Sequence, residues 1–470
     1  MEKTVCRRAI LKGAVALGAA SMAPWAAARA AAPHDVLIVG TGAGGYAAAI
    51  RAAEAGAKVL MLEANTWVGG ASRVATGIFG CAGHPIQKAL GFTTTPEDLY
   101  RLYISTAGAT KTKADPAAAR ILADGAIPAA DWLASLGVRW STKHAMKFFL
   151  RVTEGHRLGE LLIDSLDSRA RSLGVEILTG CRATGLLKEG KRVSGVEADT
   201  PAGKRKFESK AVVLACGGFE ANPEMIRKYI GEGWDEARFY CTPTDRGDGQ
   251  RMAEAAGAAL SDMEVFKANP TVHESHGNRW NLITAVRAGA IAVGRDGSRL
   301  INELGGYWQS RRLWKEPGHR AWLIFGDPVR DAVLRVRQLL QEGTVFEAET
   351  LQELASKAGI DPAGLEAGVK RYREMLAAGK DADFGRPIGP NPFGGKYYAA
   401  EIQPWIQGTF GGVVTNVKTE ALTPQGTVLP GLYAVGECAS AGLRGVNPQT
   451  ANAVFGSIAG RESARYAKSL

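Results

Sequence analysis

The chain has 470 residues, of which 46% are hydrophobic and 22% charged, and its formal net charge is +10. That balance excludes a disordered or collagen-like chain and leaves room for two domains, or one large domain with an insertion. Five of the six cysteines lie beyond the first thirty residues and none forms a CxxC pair, so no zinc site, no c-type haem attachment and no metal ligand set is expected.

Residues 6–13 read CRRAILKG and lead into AVALGAASMAPW and AARAAAP. Paired arginines, a short alanine-rich apolar run and an A-R-A site read as a twin-arginine export signal over 1–30, cleaved near Ala30 on the way to the periplasm. The run is too short for a comfortable membrane anchor. Lys3, Arg7, Arg8, Lys12 and Arg29 against Glu2 put a net +4 there, leaving +6 on the remainder. No basic run accompanies it, so nucleic acid is not expected, while an acidic redox partner would suit.

The next stretch, DVLIVGTGAGGYAAAIRAAEAGAKVLMLE (35–63), predicts a strand over 35–39, a helix to Ala55 and a strand over 58–62. Gly40 makes the turn, Gly42 (with Gly44 in the same loop) lets backbone approach a pyrophosphate, and Gly45 packs helix on strand. The helix N-terminus favours the anion, and Glu63 accepts from a ribose hydroxyl.

NTWVGGASRVATGIFG (65–80) then resembles the flavin-side loop of flavoproteins with two dinucleotide-binding domains, which implies FAD and places Gly69, Gly70, Ala71, Ser72 and Gly77 against it. KAVVLACGGF (210–219) reads as a buried strand returning to the same cofactor, with Ala215, Gly217 and Gly218 at its end. GDGQRMAEAAGA (247–258) adds Asp248. GTVLPGLYAVGECASAG (426–442) adds Gly436 and Glu437. VNPQTANAVFGSIAG adds Asn447, Asn452 and Ala453.

Together these segments resemble the fumarate reductase and succinate dehydrogenase flavoprotein family. The likeness is greatest to its soluble periplasmic branch of flavocytochrome c fumarate reductases and urocanate reductases, with 3-ketosteroid dehydrogenases as more distant relatives. The resemblance implies an α/β fold: a doubly wound Rossmann-type FAD-binding domain (33–266 and 399–470, with a helical segment over about 96–172) and an inserted α+β capping domain over 267–398. Substrate is expected between cap and flavin. The ASRVATG loop lacks the histidine that carries covalent flavin in the membrane-complex members, so FAD is expected to be non-covalent.

The family's dicarboxylate clamps are absent at their matching positions. The histidine of H-P-T falls on Asn269, in ANPT with Thr271. The proton-donating arginine after the N-E pair falls on Tyr307, in NELGGYWQSRR. The histidine before T-M-G-G falls on Gly408, ahead of Thr409. The late arginine falls on Pro448. The relay glutamate of T-E-A-V-R is also lost, because Thr284 precedes Ala285-Val286-Arg287. Two anions need cationic, bidentate donors, so fumarate and succinate are not the expected substrates.

Ketosteroid dehydrogenases also carry a tyrosine after N-E and a G-T-x-G-G motif, and a neutral phenol suits proton exchange with carbon. Tyr307 is therefore the expected proton donor, with Arg287 and Arg311 as further catalytic candidates and Arg312 beside them. Asn269, Thr271, Thr284, Gly408 and Thr409 are expected to line the substrate, and Arg444 to hold one carboxylate. Trp280, Trp308, Trp314 and Trp322 either line an apolar slot or fill the core. His156, His273 and His276 read as surface or structural residues.

The leading expectation is a periplasmic reductase of an activated C=C bond in a mono-acid or enone. Electrons would come from a separate c-type cytochrome or a quinone-linked donor, as in anaerobic respiration. A dehydrogenase of a ketone or carboxylic acid is the alternative, and an electron-transfer flavoprotein without a substrate is the third.

Overall fold

The computed structural model describes residues 34–75, 78–109, 115–440 and 448–470. The export signal over 1–30 lies outside them. The chain divides into two compact units: one runs to Glu232 and continues through Cys241–Val265 and Thr409–Leu470, and the other comprises Gly233–Tyr240 and Phe266–Gly408.

The first unit is α/β. Strand β1 (His34–Val39) feeds helix α1 (Ala43–Glu54) and strand β2 (Val59–Leu62). With β3 (Glu176–Leu178), β4 (Gly203–Leu214), β5 (Glu420–Leu422) and β6 (Val428–Ala434) they form a sheet in the order β5-β6-β4-β1-β2-β3. All neighbours are parallel except β5 and β6. The apolar run of β1 follows from this position. Val36 and Ile38 pack into the core on one face, Leu37 and Val39 into the core on the other. A strand covered on both faces has no polar side to present.

Helix α2 (Pro448–Lys468) closes the unit against α1. A side chain at Gly456 would meet the Gly44 carbonyl at 2.5 Å, and one at Gly460 the Ala48 carbonyl at 2.2 Å. Glycines four residues apart thus let α2 lie directly on the α1 backbone. The segment over 96–172 contains helices Pro96–Ala109, Pro116–Ser135 and Leu158–Ser172, and also strands Trp140–Met146 and Phe149–Val152 that were not foreseen in it.

The second unit is a six-stranded sheet with helices. Its strands run Asn278–Asn281, Phe266–Ser275, Tyr397–Thr409, Ala321–Gly326 and Ile291–Val293, with Phe346–Ala348 also on Tyr397–Thr409. The unit extends to Gly408 rather than 398, because Tyr397–Thr409 is one continuous strand. It recruits Gly233–Tyr240 because Trp234 stacks on Trp314, with ring centroids 4.3 Å apart, and packs edge-on against Phe266.

A buried ionic network fixes the Asn302-Glu303 segment. Glu303 accepts from Arg299 Nε (2.9 Å) and Nη2 (2.8 Å), from Arg386 Nη1 (2.9 Å) and from the Ala292 N–H (2.9 Å). Arg299 also pairs with Asp381 at 2.8 Å, and Arg386 donates to the Val286 and Ala290 carbonyls. The carboxylates are fully buried. Burial alone would raise the Asp381 carboxyl, but the Phe384 N–H and the Arg299 guanidinium hold it below its ordinary value.

Removing one partner of a buried ion pair strands the others. Glu303→Gln is therefore expected to destabilise the second unit by about 3–5 kcal/mol, read as an earlier denaturant or thermal transition. A depressed carboxyl contributes its stability fully above its unfolded value and loses it as pH falls through the folded one. The Asp381 contribution is thus expected to be complete above about pH 3.8 and to be lost progressively as pH falls from there through the depressed folded value, and Asp381→Asn should flatten the acid limb of a pH–stability curve.

Candidate functional site

Two glycines of the first turn, Gly40 and Gly45, sit where no side chain would fit. Gly40 has φ +103°, and a Cβ there would lie 2.4 Å from the Ala215 carbonyl. A Cβ at Gly45 would lie 2.1 Å from the Gly40 carbonyl. Gly42 caps α1 in an extended conformation without a side-chain cap, and no acidic residue occupies the first turn. The positive end of the helix dipole is thus left to a ligand. Ala43 N–H donates to Ser72 Oγ at 3.1 Å, which docks the second glycine-rich loop onto this turn. In that loop Gly69 has φ +111°, and Gly70 faces open space.

Glu63 is buried at the end of β2. Its Oε2 accepts from Thr41 N–H (3.0 Å) and Thr41 Oγ (2.5 Å), and its Oε1 from Asn65 N–H (2.8 Å) and Nδ2 (3.0 Å). Thr41 Oγ in turn accepts from Gly69 N–H at 2.9 Å. Thr41 and Asn65 are absent from the sequence reading. Their only signal there was a hydroxyl inside the glycine turn and an amide two residues after the acid.

Two amides tie together the remaining segments expected at the cofactor. Asn452 Oδ1 would lie 3.0 Å from a Cβ at Gly436 and 3.4 Å from one at Gly44. Gln250 Nε2 donates to the carbonyls of Gly217 (3.1 Å) and Glu437 (3.3 Å). Asp248 is held bidentately by Arg182 at 2.8 and 2.9 Å. Ala453 is buried, and Ala71 lies in the short helix Gly70–Arg73. A cavity of about 240 Å³ is lined by Val435, Gly436, Ser440, Ala451 and Phe455, among others. Gly77, Arg444 and Asn447 lie outside the described residues. A glycine cradle, an uncapped helix and an acid at the next strand end fit a dinucleotide such as FAD.

In the second unit, Asn269 and Thr271 are buried on strand Phe266–Ser275, and Asn269 Oδ1 accepts from Thr271 N–H (3.1 Å). Ser310 Oγ donates to the Ala268 carbonyl at 2.5 Å, which ties the segment after Glu303 to that strand. Tyr307 opens the 3₁₀ turn Tyr307–Gln309; its side chain is outside the described set. Arg311 lies over the Phe266 ring at 4.7 Å, and burial lowers its guanidinium pKa. Thr284 and Arg287 are exposed on the short helix Ile283–Arg287. His273 is fixed between the Glu401 carbonyl (2.8 Å) and Thr344 Oγ1 (3.0 Å). Trp322 is core, Trp314 lies between Trp234 and His319, and Trp280 carries the Arg335 guanidinium at 3.5 Å. Trp308 is exposed. Gly408 is buried at the end of this unit.

Back in the first unit, Thr409 is fully buried. Its Oγ1 accepts from Phe219 N–H (2.9 Å) and donates to Glu220 Oε2 (3.1 Å). Glu220 stands with Cys241 and Asp245, their ligand atoms all within 4.8 Å of one another. Burial pushes both carboxyls and the thiol upward, and the Glu220 charge adds to it for Asp245 and Cys241. No motif announced this cluster. Its one legible trace is an acid directly after a glycine-glycine-phenylalanine strand exit.

Residues 35–454 match the model of the FAD binding domain family. The chain is 34% identical to a fumarate reductase (cytochrome) of Shewanella frigidimarina, over 94% of this chain and 79% of that protein. It is 30% identical to a urocanate reductase of Eggerthella lenta, over 92% and 75%. The open conformation of a flavocytochrome c3 fumarate reductase superposes with a TM-score of 0.80 at 28% identity, covering 99% of this chain and 83% of that one.

Glu63→Gln keeps the shape of the carboxylate and removes its charge. A hydrogen bond to a charged group contributes about 1.5–3 kcal/mol, so FAD retention is expected to weaken roughly tenfold to a hundredfold. Fluorescence titration of the flavin-free variant measures this directly.

Proposed function

Because this chain belongs to the FAD binding domain family of flavoproteins and is an FAD-dependent oxidoreductase acting on CH–CH or C=C bonds, we propose that it reduces the activated C=C bond of a mono-acid or an enone rather than fumarate. The observation that carries this reading is the set of substituted clamps: Asn269, Tyr307, Gly408 and Pro448 stand where two histidines and two arginines hold the two carboxylates of a dicarboxylate. The local bonding of Asn269 supports it, since its amide oxygen already accepts from Thr271. A dicarboxylate left without cations in a dry site carries a large desolvation cost.

When bound, FAD supplies hydride exchange with a carbon of the substrate. The chain's residues do the rest. Tyr307 delivers a proton to the carbon next to the activating group, and its neutral phenol places no cation against an uncharged body. Arg444 binds the single carboxylate of a mono-acid, and Arg287 and Arg311 are the other charged candidates. The lack of a histidine in ASRVATG supports non-covalent FAD. The 1–30 signal supports export to the periplasm by the twin-arginine route. With no CxxCH on this chain, a separate cytochrome or quinone-linked donor supplies electrons. Among the described residues no helix is long and apolar enough to cross a membrane.

The reverse reaction, dehydrogenation of a ketone or acid, is favoured by one observation. Tyr307 and Gly408-Thr409-Phe410-Gly411-Gly412 resemble the ketosteroid dehydrogenase pattern.

Anaerobic oxidation of reduced viologen across fumarate, urocanate, acrylate, methacrylate, cinnamate-type acids and simple enones tests the proposal. Turnover with a mono-acid or enone and none with fumarate is expected. Fumarate turnover would overturn it, and flavin reduction by a saturated ketone alone would establish the reverse reaction. With the preferred substrate, Tyr307→Phe is expected to lower kcat by about 10²–10⁴. If Arg311→Ala abolishes turnover while Tyr307→Phe does not, the acid is the arginine.

A further inference from the structure

We infer that Glu220, Cys241 and Asp245 bind one divalent metal ion of the zinc class beside the glycine pair of the cofactor cradle. The three side chains come from the exit of β4 and from the stretch 241–245, and each is at least nine-tenths buried. A Cβ at Gly217 would lie 2.4 Å from Asp245 Oδ1, and one at Gly218 would lie 2.4 Å from Glu220 Oε2. The two carboxylates therefore flank the Gly217-Gly218 backbone.

Among the described residues the largest charged influences on the cluster are acidic: Glu220 and Glu63 on Asp245, and Glu220, Asp245 and Glu437 on Cys241. Arg246, the next residue along, is exposed. Buried negative charge of this density requires either protons or a cation.

Bonding within the cluster favours the cation. A carboxyl pair that shares a proton joins through a direct hydrogen bond, as in proteolytic dyads. Among the described residues no hydrogen bond joins Glu220 to Asp245. Asp245 Oδ2 accepts from Thr242 N–H at 3.2 Å instead. Glu220 Oε2 is taken by Thr409 and the Cys241 thiol lies against the same carboxyl, while Glu220 Oε1 is buried with no N–H or O–H donor. A carboxylate oxygen left bare in the interior costs about 1–3 kcal/mol or more, unless a ligand absent from the protein atoms occupies it.

Donor identity and spacing set the class of ion. Zn–S is about 2.3 Å and Zn–O about 2.0–2.2 Å, so two donors on one tetrahedral zinc lie about 3.3–3.7 Å apart. The three donor atoms here lie within 4.8 Å of one another, so their side chains draw inward by up to about 1 Å when the ion binds. One thiolate with two carboxylates suits a borderline ion such as zinc and disfavours calcium or magnesium, which take oxygen alone. On binding, the Cys241 S–H bond breaks, the proton leaves to solvent and the sulfur lone pair goes to the metal. Three protein donors leave a fourth tetrahedral position for another ligand.

The test uses the full, FAD-loaded chain purified without chelator. Metal content by plasma mass spectrometry is expected to give one zinc per chain, and zinc K-edge X-ray absorption one sulfur among oxygen neighbours. Cys241→Ser should remove the sulfur contribution, Cys216→Ser should retain it, and Glu220→Gln should weaken zinc binding at least tenfold. Zinc absent after incubation with added Zn²⁺, or a shell of oxygen and nitrogen only, means an adventitious ion only and overturns the assignment. If Cys241→Ser fails to fold, the sulfur count on the unaltered protein decides the matter alone.

Discussion

At the carboxyl ends of β1 and β4 two backbones approach so closely that no side chain fits between them. Gly40 N–H donates to Leu62 at the end of β2 (2.8 Å), and Ala215 N–H donates to Val39 (2.8 Å). Gly40 is thereby held between two parallel neighbours, and its carbonyl lies against Gly45. The same contact that closes the sheet fixes where α1 begins, and Ser72 docks there on the Ala43 N–H. Strand order and cofactor cradle are consequences of one backbone constraint, because parallel strands place their carboxyl ends, and the loops that follow them, on one edge.

The acid of that cradle is part of a longer polar chain. From Glu63 it runs through Asn65 Nδ2 to Thr244 Oγ1 (2.9 Å), then to Thr242 Oγ1 (2.9 Å), whose N–H meets Asp245. The residue expected at the ribose and the buried Glu220–Cys241–Asp245 cluster therefore share one network. A charge gained or lost at one end is felt at the other, since buried polar chains polarise one another.

The Asn302-Glu303 pair separates two roles that a motif merges. Glu303, saturated by Arg299, Arg386 and the Ala292 N–H, holds the second unit together. Its carboxylate has no capacity left for chemistry. The segment that follows is anchored by Ser310 on the strand that carries Asn269, so the position of Tyr307 follows from the rigidity of the acid before it.

The β1–α1–β2 unit was legible in the chain because each of its rules is local: a run covered on both faces must be apolar throughout, a turn at positive φ must be glycine, and an acid must end the next strand. The expected departure from dicarboxylate clamps has the same local basis, since charge is a property of the residue. Tertiary structure decided what depends on residues far apart. Trp234 joins the second unit only because Trp314, eighty residues later, stacks on it. Strand Tyr397–Thr409 runs past 398 because its partners lie between 266 and 348. Glu220, Cys241 and Asp245 have no common spacing to betray them. Their proximity arises where the exit of β4 meets a loop twenty residues on, and packing in three dimensions alone creates the buried charge that calls for a cation.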